Sequence, residues 1–113
     1  MAPPSKLAVA TSSVNRLVKE ETSYHKELEQ QQARIKKLEE TPGDENAEYM
    51  LKQERQALEE TKNVLPAVHQ KIKDALEKLN DELEANHGAA PTEEVTKAKE
   101  AVAAALTAIR ESA

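Results

Sequence analysis

Apolar residues recur every three or four positions along most of the chain, the period of an α-helix with one buried stripe. Over about 13–40 the stripe is Val14, Leu17, Tyr24, Leu28, Ile35 and Leu38. Over about 45–86 it is Leu51, Leu58, Leu65, Val68, Ile72, Leu76, Leu79 and Leu83, and over about 92–111 it is Val95, Ala98, Val102, Ala105, Leu106 and Ile109. No segment shows the alternation of a half-buried strand. Two clusters interrupt the period. Thr41-Pro42-Gly43-Asp44 pairs a residue of fixed φ with one that tolerates positive φ, a turn signal. In Gly88-Ala89-Ala90-Pro91-Thr92, Gly88 suits the left-handed end of a helix and Thr92 suits the cap of the next. Short connections make successive helices antiparallel neighbours, so the predicted fold is all-α, an antiparallel up-down-up three-helix bundle.

Residues 13–112 are expected to form that bundle. Residues 1–12, with one Lys and the short apolar run Leu7 to Ala10, are expected to be a flexible N-terminal arm. That run is too short for a secretory signal. Thr11, Ser12 and Ser13 then read as a helix start seeking a cap, ahead of a second reading as phosphorylation sites. Glu21 and Gln31 fall on the first helix's apolar stripe, where polar residues weaken packing but restrict register and partners. Pro66 lies inside the second helix, removes one backbone donor and clashes with the carbonyl four residues back. The stripe stays in phase on both sides (Leu58, Leu65, Ile72, Leu79), which predicts a kinked helix that curves the bundle. Pro66 is thus a shape determinant more than a contact.

Composition sharpens this picture. With 38% hydrophobic and 33% charged residues, two Tyr, no Phe and no Trp, the 113-residue chain has material for narrow seams and not for a thick core. The absence of Cys excludes disulfides, thiol catalysis and Cys-based zinc sites, and fits a reducing compartment such as the cytosol. No stretch approaches the ~18 apolar residues of a membrane span. A net charge of −5 argues against nucleic acid, and two tyrosines are too few for base stacking.

Catalytic and cofactor chemistry finds no footing. The two glycines stand 45 positions apart, so no Gly-rich phosphate loop exists and ATP-driven action is excluded. His25, His69 and His87 lack HExxH spacing and neighbouring Cys, and read as exposed helix and loop histidines, not metal ligands. Asp81, Glu82 and Glu84 fan around a helix without a Ca²⁺-loop glycine and read as a solvated face. No nucleophile, base and pocket can be assembled, and an acidic second helix without Phe or Trp disfavours a membrane-surface role. The chain is read as a non-enzyme with no cofactor and no metal.

Arg16-Leu17-Val18-Lys19-Glu20, then Tyr24-x-Lys26-Glu27, Tyr49 with Lys52-Gln53, and the mid-helix Leu65-Pro66 together resemble the tubulin-folding cofactor A (tubulin-specific chaperone A) family. The resemblance runs from about Val14 to Leu83. The Ala-rich third helix matches in length and type alone, and the loop Asn86–Pro91 is longer than the family pattern. The resemblance implies a three-helix bundle that captures β-tubulin released from the cytosolic chaperonin, before α/β heterodimer assembly. It implies a cytoplasmic, cytoskeleton-associated protein without nucleotide or metal, with other tubulin-folding cofactors as further partner candidates.

Charge then suggests where a client is held. Residues 12–40 are balanced, with six basic and six acidic side chains, whereas residues 44–86 carry six and eleven. On the first helix, Arg16, Lys19 and Lys26 fall at outward positions, offering donor forks and point charges. On the second, Lys52, Gln53, Glu59 and Glu60 form another candidate contact set. The ordinary reading of both is a solubilising face. Tyr24, on the stripe, reads as core with its hydroxyl at the edge. A competing function is a self-associating helical adaptor without tubulin specificity, which the seam residues Glu21 and Gln31 keep open. Monomer and homodimer are both compatible with the pattern.

Overall fold

The computed structural model describes residues 4–41, 43, 45–86 and 88–111. It contains three helices, α1 (Lys6–Glu39), α2 (Glu45–Ala85) and α3 (Thr92–Glu111), and no strand among the described residues. The all-α expectation therefore holds, with boundaries at the ends of α1 and α2 within one residue of those predicted. Pro42, Asp44 and His87, on which parts of the turn and histidine readings fall, lie outside the described residues. Gly43 and Gly88 take φ of 99° and 79°, as the two turn readings require. At about 1.5 Å per residue, α3 is roughly 30 Å long and half the length of α2.

The start of α1 corrects the expected arm. Residues 6–12 are helical, and Leu7 is only 1% exposed. The cause is Ser5. Its Oγ accepts the Ala8 amide at 3.0 Å and its carbonyl accepts the Val9 amide at 3.0 Å, the geometry of an N-cap. Thr11 is thus mid-helix and not a cap: its hydroxyl donates back to the Leu7 carbonyl at 2.8 Å. At the other connection, the Pro91 carbonyl accepts the Val95 amide at 3.1 Å, so Thr92 sits inside the first turn of α3 instead of preceding it. Glu93 and Glu94 in that turn complement the helix dipole. α2 runs through Pro66 without ending there.

The chain separates into two compact units, Met1–Glu21 with Val68–Ala113, and Thr22–Ala67. The first is a three-helix unit. It contains the start of α1, the second half of α2 and all of α3. Leu7, Val14, Val68, Ile72, Leu76 and Leu79 are buried, with Ala98, Ala101, Ala105 and Ala108 from α3. The alanines are spaced three and four apart, so they form one stripe whose small side chains permit close helix approach. The bulkier Val95, Val102 and Ile109 are half-buried beside that stripe. Leu106, expected in the seam, is 46% exposed, because the alanine stripe and not the aliphatic one faces inward.

The second unit is a helical hairpin of the second half of α1 and the first half of α2. Ile35 is buried together with the polar Gln31 and Thr61. Leu28, Leu38, Leu51, Leu58 and Leu65 are half-buried, as is Tyr24. Two helices leave each seam residue open on one side. Arg34 Nε meets Glu54 Oε1 at 3.0 Å, and Arg55 meets Glu39 at 3.6 Å, both between α1 and α2. Such exposed pairs contribute about 0–1 kcal/mol each, so they tune the hairpin's register more than its stability.

Candidate interaction surface

Every residue predicted to contact a client is exposed, and the residues divide between the two units. Arg16 and Lys19 lie on α1 in the three-helix unit; Lys26, Lys52, Gln53, Glu59 and Glu60 lie in the hairpin. Arg16 and Lys19 are three residues apart and share a face. Arg16 also edges an open groove of about 930 Å³ between α1 and α2 of the three-helix unit. Val9, Ala10, Leu17 and Ala75 line that groove with Lys6, Arg16, Lys71 and Lys78 opposed by Glu20, Asp74, Asp81 and Glu82. Its charges balance, so the groove has no preference for a strongly charged ligand.

A second depression of about 670 Å³ separates α1 from α3 in the same unit. Thr11, Ser12 and Asn15 face Glu93, Glu94, Lys97 and Glu100 across small alanines. The Ser5 hydroxyl donates to Glu94 Oε1 at 2.7 Å, and Lys97 pairs with Glu93 at 3.3 Å. The first of these bonds joins the cap of α1 to the start of α3, and the second lies within α3. Their arrangement is structural.

The hairpin presents a different surface. On α2, Lys52 and Glu59, and Gln53 and Glu60, are each seven residues apart and so fall on adjoining strips of the outward face. Tyr49 precedes Lys52 by three residues and Gln53 by four, which puts it on this face. It is 65% exposed, and its neighbour Met50 is 52% exposed. In the sequence Tyr49 stood out only beside Lys52-Gln53 in the motif that resembles the family. Its exposure was missed because nothing in the period separates a rim tyrosine from one lying free on the surface.

The seam polar residues are buried as expected of the stripe. Glu21 is 4% exposed and its Oε2 meets His69 Nε2 at 3.0 Å, inside the three-helix unit. This corrects the reading of His69 as an exposed helix histidine: its side chain is four-fifths covered and paired. His25 stands one turn after Glu21 on α1 and is half-buried. In the hairpin, Gln31 is 3% exposed, and its Oε1 has no hydrogen-bond partner among the described residues.

A sequence profile for tubulin binding cofactor A matches residues 2–102. The chain belongs to the tubulin binding cofactor A family. It is 35% identical to tubulin-specific chaperone A of Saccharomyces cerevisiae over 103 residues, 90% of this chain and 92% of the yeast protein. It is 34% identical to tubulin-folding cofactor A of Arabidopsis thaliana over 83 residues, covering 74% and 71% of the two chains. The crystal structure of tubulin folding cofactor A from Arabidopsis thaliana superposes with a TM-score of 0.75 at 33% identity, covering 89% of this chain and 92% of that one. The three-helix fold is therefore that of the cofactor A family, and the family match reaches into the first half of the Ala-rich α3, to residue 102. No helix among the described residues is long and apolar enough to cross a membrane.

Proposed function

We propose that the chain is an ATP-independent tubulin-folding chaperone that captures β-tubulin after its release from the cytosolic chaperonin and holds it until α/β assembly. The family match over residues 2–102 carries this reading. It supports a tubulin-folding role and a cytoplasmic place of action. The surfaces suit a holder: exposed polar helix faces with balanced or mildly acidic charge set register and association rate more than affinity, which favours later release. In the three-helix unit, Arg16 and Lys19 are the proposed contacts; in the hairpin they are Lys26, Lys52, Gln53, Glu59 and Glu60.

Co-purification of the full chain with α-tubulin and β-tubulin presented separately tests the reading. β-Tubulin is expected to be retained and α-tubulin to pass through. Retention of neither, or of both equally, overturns it. Reversing Arg16 and Lys19 to Glu is expected to weaken capture several-fold at low salt, an effect that salt screening diminishes. Unchanged binding removes that face of α1 from the contact.

A further inference from the structure

Resting on the proposed tubulin-holding role, we infer that the β-tubulin contact is anchored by the exposed Tyr49 and Met50 at the start of α2. We further infer that the tubulin surface meeting them is an apolar notch edged with Lys or Arg. Tyr49 and Met50 are 65% and 52% exposed on adjacent positions of one helix. Gln53 lies four residues after Tyr49 and three after Met50, so the three side chains form one patch. A tyrosine supplies large, stiff contact area at little entropic cost, and tyrosines are over-represented among residues that dominate binding energy.

The patch also carries a sign. Glu45, one turn before Tyr49, shares its face, while Glu48 and Lys52, one turn apart, flank that face; all three are exposed. The two carboxylates stand in the first turn of α2, where the helix dipole stabilises them as anions. An apolar patch with an acidic rim is complementary to an apolar depression with a basic rim, and it opposes an acidic one. The arginines of the hairpin, Arg34 and Arg55, are occupied with Glu54 and Glu39 and do not offset this rim.

The test measures binding of purified β-tubulin to the full chain, to Tyr49→Ala/Met50→Ala and to Glu45→Gln/Glu48→Gln, at low and high salt. Helicity and melting temperature serve as controls. The double alanine variant is expected to melt like the parent and to bind at least about tenfold more weakly. The neutralised variant is expected to bind about two- to fivefold more weakly at low salt, with the deficit shrinking as salt screens the rim. Parent-like affinity of the alanine variant, with the parent binding well, overturns the anchor alone. Tighter binding by the neutralised variant overturns the basic notch. If the parent itself ignores β-tubulin, the functional reading fails and takes the anchor with it.

Discussion

The three-helix unit and the hairpin share one sequence pattern and bury very different things. In the first, ten apolar side chains reach the interior, among them Leu7, Val14, Ile72 and Leu79. In the second, Ile35 does so in the company of Gln31 and Thr61. The 3,4 spacing is equally regular in both. The difference is the number of helices around the seam, because α3 has 20 residues and belongs entirely to the first unit. A helix stripe is thus a necessary but insufficient source of stability; what closes over it decides the yield. The hairpin keeps Tyr49, Met50 and Val64 exposed.

Substitutions can break this contrast in graded steps. Ile72→Ala, at 0% exposure, is expected to cost about 3–5 kcal/mol, whereas Ile35→Ala, in the open seam, costs about 2 kcal/mol or less. Urea unfolding of both variants measures the gap, and equal losses refute the asymmetry. Glu21→Leu removes the carboxylate that meets His69 Nε2 and is expected to cost about 1–3 kcal/mol. Glu21→Leu/His69→Leu recovers most of that, since a well-packed apolar pair replaces a buried polar one at little net cost. Gln31→Leu is expected to stabilise by about 1 kcal/mol, because an unpartnered buried oxygen is removed. A lower melting temperature for that variant contradicts the seam assignment. Arg55→Ala, which removes an exposed 3.6 Å pair, is expected to change stability by about 0.5 kcal/mol or less.

Much of the fold was legible because strong local signals coincided. Pro42-Gly43 and Gly88 mark connections that long periodic segments cannot cross, and the helices follow. Ser5 escaped notice since a capping serine among Pro, Ala and Lys resembles a frayed end; Leu7 alone hinted at continuation. The inward face of α3 was misread at Leu106 because a bulky side chain outweighs alanine in any hydrophobic pattern. Close packing reverses that preference where three helices converge on Ala98, Ala101 and Ala105. Of the interaction surface, the charged residues were identifiable as outward by their register. Tyr49 shares that outward register with Lys52 and Gln53, but the size of its exposure is set by the packed structure and by no local pattern. The Glu21–His69 pair joins residues 48 positions apart, and only the packed helices reveal it.

Native-state hydrogen exchange of the full chain, free and loaded with β-tubulin, tests the division of labour between the two units most directly. In the free chain, amides of residues 28–35 and 54–61 are expected to open at lower free energy than those of residues 72–79 and 98–105. On loading, protection is expected to rise over residues 45–60 while α3 stays as it was. Uniform protection in the free chain, or a gain confined to α3 on loading, contradicts the account.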